Sequence, residues 1–175
     1  FLLRRQRQMC IRDRAVEAEQ ACREILRKDP RNVPALRILA LSCARSMRWN
    51  DAVKSIEKAR KLAPKDPGVL LNASTVMLGL GRFDDALAAV RRAMEMAPRD
   101  ARTAGMYAEG LVYADRHREC VEFLAEAAGR GPLPDNAILS YIDACIETGD
   151  LDEAIRAGED SLERGSNQDL SLIHI

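Results

Sequence analysis

Aromatic side chains are scarce: one Trp, three Tyr and three Phe make up 4% of 175 residues. Hydrophobic content is nevertheless 47%, so any core is built from aliphatic and small side chains and is thin and distributed rather than one globular centre. Histidine is rarer still, with only His117 and His174, and the formal net charge is zero. The first fourteen residues hold five arginines against one aspartate, a net of +4, which leaves −4 over the rest. A mildly acidic remainder is no electrostatic footprint for nucleic acid. No apolar run approaches the length needed to cross a bilayer, and Phe1–Leu3 is too short for a signal-peptide core. There is no Gly-x-x-x-x-Gly-Lys loop; Gly129-Arg130-Gly131 is a helix exit before Pro132. The five cysteines, at 10, 22, 43, 120 and 145, form no C-x-x-C pair, and packed, reduced thiols fit a reducing compartment and a cytoplasmic location. Arginine outnumbers lysine 22 to 5, a composition that hints at a GC-rich, bacterial gene.

What the chain does have is a period. Pro30, Pro64, Pro98 and Pro132 stand 34 residues apart, and Ala18, Ala52, Ala86, Cys120 and Ala154 keep the same beat. Seven residues later come Ile25, Ala59, Ala93, Ala127 and Ser161. Self-similarity at such a period marks stacked helical units, each burying its apolar face against its neighbours. Leu36, Leu39 and Cys43 fall at i, i+3 and i+7, one face of a helix. Ala52, Ile56, Ala59 and Leu62 make a second face after a short turn at Arg48–Asn50. Small residues at Ala40, Ala52 and Ala59 let two helix axes approach, with Leu36 and Ile56 filling the space around them. Acidic residues gather where the second helices begin, at Asp51, Asp84, Asp85, Glu119, Asp152 and Glu153, and complement the helix dipole there. Asp150 and Glu153 have capping-box spacing.

This pattern resembles the tetratricopeptide repeat family. Its bulky fourth position is Leu36, Leu70, Ala104 and Ile138, its seventh Leu39, Ala73, Tyr107 and Tyr141, and its small eighth Ala40, Ser74, Ala108 and Ile142. The turn position is Met47, Gly81, Asp115 and Gly149, and the bulky position of the second helix is Ile56, Val90, Leu124 and Gly158. The resemblance implies an all-α, right-handed αα-hairpin solenoid over residues 15–168. It comprises a half unit at 15–32 and four units at 33–66, 67–100, 101–134 and 135–168, read as one continuous array. The last unit departs from the pattern at Ile142, Gly158, Ser161 and Ser166, so loose packing of its second helix is expected.

Residues 1–14 and 169–175 ignore the repeat. Both resemble translated sequencing-adapter read-through, so both are expected to be non-native and the chain an internal fragment. No polar capping helix is visible, and exposed apolar faces with end-to-end self-association of the array are expected.

Candidates for chemistry are few. His117 lies three residues before Cys120, a spacing open to a nucleophile and its base, but the period gives Cys120 a packing role at a helix contact. Asp150, Asp152 and Glu153 lack the glycine and distal glutamate of a calcium loop and read as helix-start residues. No catalytic residue, metal or cofactor is therefore expected, and Trp49 reads as a packing residue of the inter-helix turn.

The resemblance implies instead that first helices line a concave groove for a protein or peptide. Its groove positions carry Arg37, Leu41 and Arg45, then Leu71, Thr75 and Leu78. Arg102, Glu109, Val112 and Tyr113 follow, and then Leu139, Asp143, Ile146 and Glu147. Arginines stand at one end and carboxylates at the other, a grading that would set register and on-rate more than affinity. The lysine and asparagine that grip the terminal carboxylate of heat-shock chaperones are absent, since Arg37 with Leu41 and Leu71 with Thr75 occupy those positions. The leading expectation is an interaction scaffold that binds neither nucleic acid nor membrane. The alternative is an accessory repeat region of a larger enzyme, such as a sulfotransferase or glycosyltransferase.

Overall fold

The computed structural model describes residues 16–98 and 100–173, with side chains as far as Glu163, Ala101 aside. The segment 1–14, Cys10 within it, and His174 and Ile175 lie outside the described residues. Among the described residues there are nine helices and no strand: α1 over 16–28, α2 Val33–Arg45, α3 Trp49–Leu62, α4 Pro67–Gly79, α5 Phe83–Met96, α6 Ala101–Tyr113, α7 His117–Ala128, α8 Asp135–Thr148 and α9 Leu151–Ile173. The chain is all-α and of the helical-hairpin repeat class. First helices begin at Val33, Pro67, Ala101 and Asp135, and second helices at Trp49, Phe83, His117 and Leu151, each series spaced by 34.

Local chemistry sets both ends of these hairpins. Asn32, Asp66 and Asp100 cap α2, α4 and α6, their side chains accepting from Ala35 N, Val69 N and Arg102 N at 3.0 Å each. Pro67 stands in the first turn of α4, where its missing N–H costs nothing. The turn between the helices of a pair is the same in all four units. A residue just past each first helix has positive φ: Met47 at 57°, Gly81 at 71°, Asp115 at 59° and Gly149, the cap of α8 itself, at 87°. The next N–H reaches back to the helix, Arg48 N to Cys43 O and Arg82 N to Met77 O at 2.9 Å. Arg116 N to Leu111 O at 2.9 Å and Asp150 N to Cys145 O at 2.8 Å repeat it. This is the Schellman arrangement, which favours glycine because a Cβ crowds the left-handed backbone. Met47 is exposed and contributes little packing. Met47→Gly is therefore expected to stabilise the protein by about 1 kcal/mol, and Gly149→Ala to destabilise it by a similar amount. Thermal melts of the two variants would show opposite shifts.

The helices gather into two compact units, Phe1–Met96 and Ala97–Ile175, where the repeat pattern alone reads as one array. In the first, α2 pairs with α3, α4 with α5, and α4 also packs against α2 and α3. Ile56, Ala40, Ala52 and Ala59 are fully buried in a cluster with Leu36, Cys43, Val69 and Val76. Trp49 packs against that cluster and lies over Gly79, where a Cβ would stand 2.2 Å from its ring, as a packing role requires. In the second unit α6 packs on α7 and α8, and α8 on α7 and α9. Leu111 and Leu124 are its largest fully buried aliphatics, and Tyr107 meets Phe123 edge-on at 4.9 Å. The Tyr107 hydroxyl donates to Glu119 at 3.2 Å, and 34 residues on the Tyr141 hydroxyl donates to Glu153 at 3.1 Å.

One expectation changes at the α8–α9 turn. Asp150 and Glu153 form no reciprocal capping box. The Asp150 carboxylate takes the Thr148 hydroxyl at 3.1 Å, and Glu153 is turned toward Tyr141 and Arg156. Ile142 and Gly158 are also fitted to one another: Ile142 Cδ1 lies 3.9 Å from where a Cβ of Gly158 would stand. The usual small-then-large order of these positions is inverted, so a bulky side chain on α8 faces a helix position with none. The α9 backbone runs on to Ile173, through the segment expected to depart from the array. Leu151, Ile155 and Leu162 on α9, like Val16 and Ile25 on α1, are exposed.

Helix α1 is held by charge as well as by burial of Cys22. Glu19, with 14% of its side chain exposed, accepts from Arg23 at 2.8 Å and from Arg48 at the α2–α3 turn. The Arg48 guanidinium holds the Glu19 carboxyl below its ordinary value against the opposing effect of burial, with Arg23 assisting. A carboxyl lowered on folding stabilises above its unfolded pKa, and that contribution disappears as pH falls through the folded one. The melting temperature is expected to fall on acidification through and below the carboxylate range. Glu19→Gln should be less stable at neutral pH and show a flatter dependence there.

Candidate partner-binding groove

The groove residues expected from the sequence divide between the two units. In the first, Arg37, Leu41 and Arg45 lie on α2 and Leu71, Thr75 and Leu78 on α4. Leu71 departs from expectation: it is only 5% exposed and offers no side chain to a partner. The reason is α4 itself, which buries Val69, Leu70, Leu71, Ala73, Ser74, Val76 and Met77 and has helices packed on several sides. Arg37 is half-buried across Gly68, with Nη1 3.9 Å from Asp66. With the Asn72 amide oxygen turned toward it, Arg37 Nε donates there at 3.3 Å. Leu41 and Leu78 are half-buried, and Arg45 and Thr75 exposed.

The second unit brings its candidates together. Glu109, Val112 and Tyr113 on α6 and Leu139, Asp143 and Ile146 on α8 line one shallow depression of about 440 Å³, with Ser140 and Ile142 completing it. The spacing explains the geometry: i, i+3 and i+4 on α6, and i, i+4 and i+7 on α8, place each set along one helix face. Three large apolar side chains stand unusually open here, Tyr113 at 58%, Leu139 at 70% and Ile146 at 51% exposed. Ser140 and Ile142 were not among the expected residues. A bulky Ile142 at a position otherwise small was the available signal.

Charge around this depression has one sign. Helix α8 contains no basic residue, and α6 contains Arg102 alone. Arg102 is committed to its own helix start, where Nη2 and Nε reach the Asp100 carboxylate at 2.7 and 3.0 Å. Glu147, one turn beyond Asp143, is exposed. Glu109, Asp143 and Glu147 form no ion pair among the described residues. Carboxylates of the second helices differ, with Glu119 held by Arg116, Glu126 by Arg130 and Glu153 by Arg156.

The residues open to a catalytic reading are occupied otherwise. Cys120 is fully buried, with its Sγ 3.7 Å from Ala108 O and 3.8 Å from Ser140 O. Burial pushes its thiol up to about 12, so it stays protonated at neutral pH and serves as a packed small side chain. His117 Nε2 lies 2.9 Å from Asp115, and its buried Nδ1 has no hydrogen-bond partner. A second depression, of about 380 Å³, includes Tyr141, Glu153 and Arg156, already bonded among themselves. Among the described residues no three His, Cys, Asp or Glu side chains converge as metal ligands would. No helix of the described residues is long and apolar enough to cross a membrane.

Paired antiparallel helices on a 34-residue register, each pair closed by the same left-handed turn, define a helical-hairpin repeat protein built to offer helix faces to other proteins. The tetratricopeptide repeat family model matches residues 44–110. That match lies on the same 34-residue register that the helices keep on either side of it. Solved structures agree on the fold. A MamA fragment from Desulfovibrio magneticus RS-1 is 20% identical, with a TM-score of 0.73, over 96% of this chain and 96% of that one. A thermophilic tetratricopeptide repeat protein of Thermus thermophilus is 21% identical, with a TM-score of 0.72, over 97% and 92%. An O-GlcNAc transferase of Thermobaculum terrenum is 21% identical, with a TM-score of 0.57, over 64% of this chain and 23% of that one. No curated protein sequence matches the chain.

Proposed function

We propose that the chain is an interaction scaffold without chemistry of its own, and that it receives a segment of a protein partner in the depression between α6 and α8. The observation that carries this reading is the gathering of Tyr113, Leu139 and Ile146, all more than half exposed, around one concavity. Scattered exposed apolar residues are ordinary, but a contiguous set rimmed by charge marks an interaction site. The protonated, packed Cys120 supports the absence of a thiol nucleophile. Four buried free thiols, Cys22, Cys43, Cys120 and Cys145, suit a reducing compartment such as the cytoplasm. The test is the double variant Leu139→Ser, Ile146→Ser, which should lose a partner that co-purifies with the parent chain while still unfolding cooperatively, with its melting temperature lowered by roughly 2–8 °C. Retention of that partner would count against the site.

A second reading makes the array an accessory region of a larger enzyme. The likeness to the O-GlcNAc transferase supports it, because this chain spans only 23% of that protein. Sequencing the source gene beyond both ends of this reading frame separates the two: a catalytic domain in the same frame supports the second.

A further inference from the structure

We infer that the partner segment is a basic amphipathic helix, with apolar side chains at helical spacing flanked by lysine or arginine. This rests on the depression between α6 and α8 being the docking site. The apolar part follows from the floor: Leu139, Ile142 and Ile146 extend along two turns of α8 with Tyr113 and Val112 opposite. Seven residues of helix rise about 10 Å, so two turns of a partner helix with anchors at i, i+4 and i+7 match that floor in length.

The basic part follows from the rim. Glu109 and Asp143 line the depression beside the apolar side chains, exposed Glu147 follows one turn beyond Asp143, no cation stands on α8, and Arg102 is bound to Asp100. Elsewhere in the same unit Glu119, Glu126 and Glu153 carry their own arginines, which neutralise them within the fold. Those beside the depression have none, so their charge is left to an incoming ligand. A cationic helix replaces water around these carboxylates with ion pairs while its anchors cover Leu139 and Ile146. An acidic segment with the same anchors would place like charges together, and that repulsion is what discriminates between partners.

The experiment uses two fluorescein-labelled peptides of about 18 residues, long enough for helix formation on contact. They share leucine positions, one with lysine and one with glutamate at every polar site. Fluorescence anisotropy with the full chain should show the Leu/Lys peptide binding at least tenfold more tightly than the Leu/Glu peptide, weakening as salt rises. Asp143→Asn with Glu147→Gln should erase most of that preference. Glu122→Gln with Glu159→Gln, which removes as much charge from α7 and α9, should preserve it. Equal binding of the two peptides, both lost in Leu139→Ser, would overturn the basic partner and leave the docking site standing. A lysine preference that Leu139→Ser leaves intact, or that the α7 and α9 control abolishes equally, would place it elsewhere and overturn both. So would binding of neither peptide.

Discussion

Ile56→Ala is expected to destabilise the first unit by about 2–5 kcal/mol, the range for deleting a buried aliphatic side chain down to Cβ. Ile56 is fully buried on α3, and among the buried members of its cluster only Leu36 has a flexible chain that could move toward the gap. Ala40, Ala52 and Ala59 beside it have nothing beyond Cβ to rotate, and Val69 and Val76 are stiff at χ1. The cavity therefore stays open, and the loss belongs in the upper part of the range. For a chain of this size it should lower the melting temperature by roughly 5–15 °C. Hydrogen exchange would locate the effect in α2, α3 and α4, the helices that form this core. A loss below about 1 kcal/mol would mean that the small-residue contacts do not hold the helices as closely as described.

The second large effect is in binding, with a smaller cost in stability. Leu139 and Ile146 are already 70% and 51% exposed, so replacing both with serine removes the smaller part of their apolar surface from the fold and should cost about 1–2 kcal/mol of stability. Covering a large aliphatic side chain completely is worth about 1.5–3 kcal/mol, and more than half of that is still to be gained when a partner arrives. The double substitution should therefore cost about 2–4 kcal/mol of binding, roughly 30- to 1,000-fold in Kd. Calorimetric titration of the co-purifying partner, beside a thermal melt of each variant, reads both quantities. A variant that no longer unfolds cooperatively would instead mean that these side chains support the fold.

Helix positions were legible in the sequence because one spacing carries several independent signals. Asn32, Asp66 and Asp100 cap the first helices, and Met47, Gly81, Asp115 and Gly149 take the left-handed turn, whichever side chain is present. That Met47 and Asp115 adopt a glycine conformation shows the register overruling local preference. Groove positions were legible only in part, since a repeat position says which way a side chain leaves its helix and not what covers it. Leu71 stands at a groove position and is buried because α4 is packed on several sides, which its nearly continuous apolar run, Val69 to Met77 with only Asn72, Ser74 and Thr75 intervening, would have indicated. The graded charge read along the sequence likewise treats Arg102 as a groove cation, whereas the fold binds it to Asp100. Ile142 and Gly158 read singly as two defects in the last unit. Their compensation is a fact of pairing, which only the fold brings into view.

The most direct measurement is photo-crosslinking from the depression. A benzophenone side chain at Leu139, in the full chain inside its own cells, should join covalently to the partner. The same group at Glu122, exposed on α7 of the same unit, should not. A crosslinked segment rich in lysine or arginine between apolar residues would agree with the whole account. Crosslinks to the same partner from Glu122 and none from Leu139 would contradict it, and would place the interaction on the second helices.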